Sequence, residues 1–401
     1  MLAAVQSLDG WIARNGWRGY DPHDIRGTRP FLFLLQPVNW LPLKVARRLL
    51  LTPLAALERA YPGPARRVFR VKPTINPKGM GLFAKAYLQL FVTLGDEQYR
   101  DKAIECLDWL AANPSPGYDE PCWGYPFTWQ SGVITPPHTP ASVVTSAVGD
   151  AFWSAYQILG DPRYLEVCAG VGRAFLRYLN RDEMTDETLC FSYTPIDDFH
   201  VHNANLLVAE FLTRVGREVG EQEWVELGVR AGRYALVEQN QDGSLYYWGR
   251  IQDYHCPKCI DHYHSGFEIR CLYGIARNTG RAEFRAAAAR YYDFYRRNLI
   301  EENGNSVRPK MTPSSFYPVN IHSCAESILV AATLYDEFAE ARRTLQPLAH
   351  WAIRHMQLPA GSFAYLRRRS LGREVVHDFP YLRWAQGWML LALSQYLMVQ
   401  R

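Results

Sequence analysis

Four histidines, His138, His202, His264 and His322, stand 64, 62 and 58 residues apart, and each is followed at once by Thr, Asn or Ser. Imidazole titrates near neutral pH, so histidines in register suit proton transfer. The densest run, Asp253 to His264, ends in Asp261, His262, Tyr263 and His264. Removing a proton beside a carboxylate or carbonyl needs a base, an acid and a group to hold the charge that develops. The residue types assign His264 or Tyr263 as the base and His202 or His322 as the opposing acid. Arg383 and Asn203 are the expected holders of a substrate carboxylate, and His138 adds a further polar group to the same rim. A second chemistry is open, and so is a non-catalytic role in recognising a glycan or an assembly enzyme. Glycoside hydrolysis needs two carboxyls about 5–5.5 or 6.5–9.5 Å apart, and Asp197, Asp198, Asp261, Glu268, Glu326 and Asp378 are the candidates. Cys256-x-x-Cys259 offers half of a zinc-ribbon ligand set, but no second CxxC exists. Free thiols in a turn are expected there, and no metal or cofactor is assigned.

Aromatic residues are abundant, with 12 Trp, 24 Tyr and 18 Phe. Many gather in five stretches: Cys122 to Trp129, Phe191 to Thr194, Leu245 to Trp248, Ser315 to Tyr317 and Ser362 to Tyr365. Flat rings with scattered hydrogen-bonding groups suit sugars, whose C–H faces stack while their hydroxyls need partners. Trp123, Trp129, Tyr193, Tyr247 and Trp248 are the expected stacking set, and the expected ligand is a saccharide or lipid-linked glycan.

The elements that must hold these residues follow from a repeat. Leu94-Gly95-Asp96, Leu159-Gly160-Asp161, Val219-Gly220-Glu221 and Thr279-Gly280-Arg281 lie 65, 60 and 60 residues apart. Each is flanked by stretches with apolar residues at i, i+3, i+4 and i+7, so each reads as a helix–Gly–helix corner. The histidines open the first helix of successive pairs, with Pro77-Lys78 one period before them and Arg383-Trp384 one period after. Six first helices result, and the sixth second helix must come from the N-terminal segment. The fold expected is an all-α, (α/α)6 toroid spanning 1–401 as a single domain. Residues 1–76 supply the closing helix, from Leu2 to Arg14 or from Leu41 to Ala60. All five aromatic stretches precede a first helix, so they crowd one mouth.

A net charge of +4 with 21% charged residues gives no reason to expect nucleic acid. The apolar stretches Phe31–Leu35 and Leu49–Leu57 are shorter than the ~20 residues that span a bilayer. Eight cysteines and no secretory pattern at the N-terminus point to reduced thiols and a cytoplasmic location.

Several motifs, in order, resemble bacterial polysaccharide-biosynthesis proteins of the VpsJ-like group. They are Gly19-Tyr20-Asp21-Pro22-His23-Asp24, Asn203-Ala204-Asn205, Asp242-Gly243-Ser244, Asp261 to Phe267, Ile321-His322-Ser323 and Arg383 to Trp388. The resemblance covers nearly the whole chain. It implies an α/α toroid acting in exopolysaccharide or lipopolysaccharide metabolism beside polysaccharide-assembly enzymes, and it supplies no reaction. Asp261 to Leu272 is similar to the last domain of glucuronyl C5-epimerases, with one extra residue between Asp261 and Tyr263. That likeness implies an epimerase or lyase acting on a uronate.

Overall fold

The structure is a computed structural model describing residues 1–35, 41–252, 258–303, 306–370 and 372–401. Helix α1 (Leu2–Asn15) is followed by α2 (Arg29–Leu35), α3 (Leu41–Ala60) and α4 (Pro62–Val68). Then come the hairpins α5 (Pro77–Leu94) with α6 (Glu97–Ala112), α7 (Ser142–Leu159) with α8 (Pro162–Tyr178), and α9 (His202–Val219) with α10 (Gln222–Glu238). They continue as α11 (His262–Thr279) with α12 (Ala282–Asn298) and α13 (Ile321–Thr333) with α14 (Ala339–Met356). The last helix, α15 (Trp388–Val399), is entered through a π-turn at Leu382–Gly387.

The first helices of the pairs touch in sequence, α5–α7–α9–α11–α13–α15, and α15 returns to α5. An inner ring is thereby closed, and the protein is an α/α toroid. Inner helices bury most of their surface; Trp388 to Leu393 of α15 are buried without a break. Corners between inner and outer helices are made by Gly95, Gly160, Gly220 and Gly280, whose φ values of 70–80° are left-handed. Only glycine adopts that geometry cheaply.

The sixth outer position is held by α1. It contacts α15, Gln357 Nε2 donates to Ala4 O at 2.9 Å, and Arg14 Nη2 donates to Ala360 O at 3.1 Å. On its other side, Asp9 accepts from Tyr87 of α5 and Lys102 of α6. Helix α3, the other segment the sequence offered, lies outside the ring. It joins α2 and α4 in a small cap whose core is Ile25, Phe31 and Ala65.

Connections from each outer helix to the next inner one carry short antiparallel hairpins, such as Trp129–Ser131 with Val133–Thr135 and Arg181–Thr185 with Thr188–Phe191. All of them reach the end of the toroid where the inner helices begin.

Candidate functional site

At their N-termini the inner helices put one particular position on the axis. The N-cap residues are Asn76, Ala141, Val201, Asp261, Asn320 and Tyr381. Two residues beyond each stand Lys78, Val143, Asn203, Tyr263, His322 and Arg383, and all six line one cavity of about 160 Å³. Their spacings are 65, 60, 60, 59 and 61 residues. Asn76, Asp261 and Asn320 fix the helix starts by accepting a backbone N–H.

One residue earlier, the side chain points the opposite way, because each helical step rotates about 100°. His202 and His262 occupy that position and pack on outer-helix tyrosines. The His202 ring stacks on Tyr234 at 5.4 Å, and His262 Nε2 lies 3.0 Å from Tyr295 Oη.

The remaining wall comes from the mouth loops through His23, Tyr125, Phe127, Trp129, Tyr193 and Tyr247. Polar side chains of the inner helices tie these loops down. Thr145 Oγ1 accepts from Trp123 N and donates to Trp123 O. Asn205 Oδ1 accepts from Phe191 N, and Gln386 brackets Phe363 through both its N–H and its C=O. Thr145 and Asn205 are the fourth residues after their caps, whereas Gln386 is the fifth. The π-turn inserts the extra residue.

Charge in the cavity is unevenly satisfied. Arg383 and Asp21 form a bidentate pair at 2.5 and 2.9 Å, with side chains only 3% and 5% exposed. Burial alone would raise Asp21, but the guanidinium outweighs it and holds the carboxyl below its usual range. Lys78 is buried, lies over the rings of Phe267 and Trp388, and among the described residues has no ion-pair partner. Burial, then the nearby Arg383, bring its pKa down to about 7.

His264 Nδ1 lies 2.6 Å from Asp261 Oδ2. A carboxylate can only accept, so Nδ1 carries a proton toward Asp261 and Nε2 is the nitrogen left for other contacts. His322 is packed between Tyr263 (4.5 Å) and Trp388 (4.6 Å), and neither ring nitrogen has a partner among the described residues. Burial, reinforced by Lys78 and Arg383, drives its pKa well below 6.5, so it is neutral. Tyr263 is pushed far above 10 by burial and stays protonated.

Of the residues singled out from the sequence, His264, Tyr263, His322, Arg383, Asn203, Trp129, Tyr193 and Tyr247 come together here. Asp261 stands behind His264. Four others do not reach the cavity. His138 is exposed, with φ 61°, four residues before α7 begins. His202 faces α10. Trp123 is core, its Nε1 bonded to Leu110 O, and Trp248 is buried edge-on against Phe199 and Tyr247. Sequence reading missed Lys78, His23, Tyr125 and Asp21. Counting from each helix cap, instead of from each histidine, would have found Lys78.

Three more of the carboxyl candidates are otherwise engaged. Asp197 accepts three backbone N–H groups of its own turn. Glu268 accepts from Tyr291 Oη at 2.5 Å, and Glu326 is held by Arg270 at 2.6 Å. Among the described residues, no carboxylate lines the mouth cavity. Cys259 is disulfide-bonded, which corrects the free thiol expected there; Cys256 lies outside the described residues. The other six cysteines are free and buried. Among the described residues, no cluster of His, Cys, Asp and Glu is suited to a metal ion, and no helix is long and apolar enough to cross a membrane.

No protein-family model and no curated protein matches the sequence. Solved structures do match in fold. A family 76 glycoside hydrolase from a bovine Bacteroides thetaiotaomicron strain shares 12% identity at a TM-score of 0.60, over 80% of this chain and 69% of that one. A D-mannose isomerase shares 11% at 0.60, over 81% and 86%. A cellobiose 2-epimerase from Bacillus thermoamylovorans shares 12% at 0.57, over 81% and 88%. The chain is therefore similar in architecture to toroids of two unlike chemistries.

Proposed function

We propose that the protein is a carbohydrate-active enzyme that moves a proton on a sugar ring, as an epimerase or a lyase. The observation that carries this reading is the composition of the cavity: three histidines, four tyrosines and a lysine line it, and among the described residues no carboxylate does. Hydrolysis needs two carboxyls facing each other across the bond, so the isomerase and epimerase among the structural neighbours are better guides than the hydrolase. A cavity of about 160 Å³ is smaller than the roughly 300–1,000 Å³ of sites for drug-sized ligands. It suits one sugar unit.

The geometry supports a division of roles. His264 Nε2 is the base that removes the proton beside the carbonyl or carboxylate, and Asp261 stabilises the imidazolium as it forms. Tyr263 keeps its proton and serves as donor, not base. His322 is neutral, so it hydrogen-bonds a hydroxyl through its one N–H and does not act as an imidazolium acid. Lys78, near pKa 7, is the cation free to face the negative charge that builds on oxygen, because the charge of Arg383 is already met by Asp21. Return of the proton on the other face gives epimerisation; loss of a β-substituent gives elimination. The uronate class and a place in polysaccharide biosynthesis rest on the sequence resemblances.

The test is NMR in deuterated water of sugars and uronates that raise the melting temperature. Deuterium at a ring carbon, lost in His264→Ala and Tyr263→Phe, is the expected outcome. Unchanged exchange in both variants on a confirmed substrate would end this assignment.

A further inference from the structure

The cap that carries α2, α3 and α4 has a surface unlike the rest of the molecule. Leu49, Leu50, Leu57, Tyr61 and Val68 are between 51% and 75% exposed. On α3 the inward face is Arg47, Leu51, Leu54 and Glu58. Arg47 covers the Phe33 ring at 4.5 Å, Leu51 and Leu54 pack on the cap core, and Glu58 pairs with Arg66. At 3.6 residues per turn the opposite face is Val45, Leu49, Ala56 and Ala60, widened to one side by Leu50 and Leu57. Arg48 and Arg59 fall together along its other edge, and both are exposed.

Charge is concentrated in the same place. From Ile25 to Lys72 the sequence has ten Lys and Arg against one acidic residue, Glu58, while the whole chain nets only +4. The rest of the molecule is therefore net acidic. Arg48, Arg67, Arg70 and Lys72 are exposed and have no acidic partner among the described residues. An apolar arc edged by unpaired cations is how a helix lies in the boundary layer of a bilayer without crossing it. A protein partner would need an apolar patch with acidic residues around it; an anionic bilayer offers both features over any area.

The cap is also fixed to the mouth. Arg66, fully buried, pairs with Asp24 at 2.8 Å and donates to Asp21 O at 2.8 Å. Asp21 in turn holds Arg383 in the cavity wall. A Cβ on Gly27 would lie 2.0 Å from Thr128 O of the mouth loop. Gln130 Nε2 donates to Leu35 O at 3.3 Å.

We propose that this cap docks the protein on an anionic membrane surface and brings the mouth to the lipid–water boundary, where a lipid-linked glycan would present its sugars. The docking surface is independent of which reaction the cavity performs.

Co-sedimentation of the full chain with vesicles tests it, comparing phosphatidylcholine alone with phosphatidylcholine plus phosphatidylglycerol at low and high salt. Binding to the anionic vesicles only, weakened by salt, is expected. Each surface Arg is worth about fivefold in partitioning, so Arg48→Glu/Arg67→Glu should bind at least ~25-fold more weakly. Leu49→Glu/Leu57→Glu should not sediment. Both variants alter exposed side chains, and circular dichroism melts check their folding. Equal binding to both vesicles, binding to neither, or variants that sediment like the parent would overturn the proposal. So would a dimer of the parent that Leu49→Glu/Leu57→Glu dissolves while vesicles go unbound.

Discussion

Replacing Lys78 by Met should make the protein more stable and less useful. The ammonium sits on the toroid axis, 6% exposed, over the faces of Phe267 and Trp388 and without an ion-pair partner among the described residues. Its pKa falls from 10.5 to about 7, which at ~1.4 kcal/mol per pH unit is a burden of about 4–5 kcal/mol on the folded state below pH 7. Methionine keeps the stem packing and removes the charge. It forfeits a cation–π contribution of about 1–2 kcal/mol, so a net gain of about 2–4 kcal/mol is expected. The sign of the pH dependence is fixed. Between pH 7 and 10.5 the unfolded chain holds a proton that the folded protein lacks, so stability of the parent rises with pH there. The advantage of Lys78→Met over the parent should therefore shrink by roughly 3 kcal/mol between about pH 6.5 and 9.5. Urea unfolding at the two pH values measures it. A variant no more stable than the parent, or a difference that ignores pH, would mean that Lys78 has a counter-charge or water, and its role facing the developing oxyanion would fall with it.

Asp21→Asn leaves Arg383 buried without its partner and should cost about 3–5 kcal/mol in urea unfolding. Adding Arg383→Met should recover part of that loss, and simple additivity would refute the pairing. Asp261→Asn keeps a good helix cap but turns the His264 tautomer round, so proton exchange should fall by about 10²-fold or more with stability changed by less than ~1 kcal/mol. Acid should unfold the protein early. His202 and His262 have pKa values near 3, and His322 also lies far below 6.5. Their stability contribution is complete above pH 6.5 and drains away below it, at up to ~1.4 kcal/mol per pH unit for each ring. Near-ultraviolet circular dichroism should show loss of tertiary structure between about pH 5 and 4, and a native spectrum at pH 3 would contradict this. Gly27→Ala drives a methyl group into the Thr128 carbonyl, costing about 1–3 kcal/mol. Amide exchange should rise across residues 21–35 and stay unchanged in α11.

The sixty-residue period was legible because glycine corners and amphipathic helices follow local rules that neighbouring sequence cannot hide. Histidines were a poor ruler for the site. His202, His322 and His264 are the first, second and third residues after their caps, and a shift of one position turns a side chain from the axis to the outer layer. Asparagine and aspartate caps would have been the better ruler. Loop aromatics were ambiguous for a different reason: Trp123 and Trp129 lie in one stretch, but only tertiary packing decides that the first fills the core and the second the cavity wall. The Asp21–Arg383 pair joins residues 362 apart, and no local pattern announces it.

The seat of α1 in the outer layer sets a problem of timing. Its partners lie at both ends of the fold: Asp9 meets Tyr87 of α5 and Lys102 of α6, while the contacts Arg14 to Ala360 and Ala4 to Gln357 span 346 and 353 residues. At roughly 5–20 residues per second on the ribosome, α1 waits about 20–70 s before the groove that receives it has been made. Each of the hairpins from α5 to α14 can meanwhile fold against the one before it. The growing molecule is thus an open arc whose end hairpins lack neighbours, and its inner ring closes only when α15 packs on α5. Damage to either α1 or α15 should therefore leave a nearly complete arc with an adhesive edge.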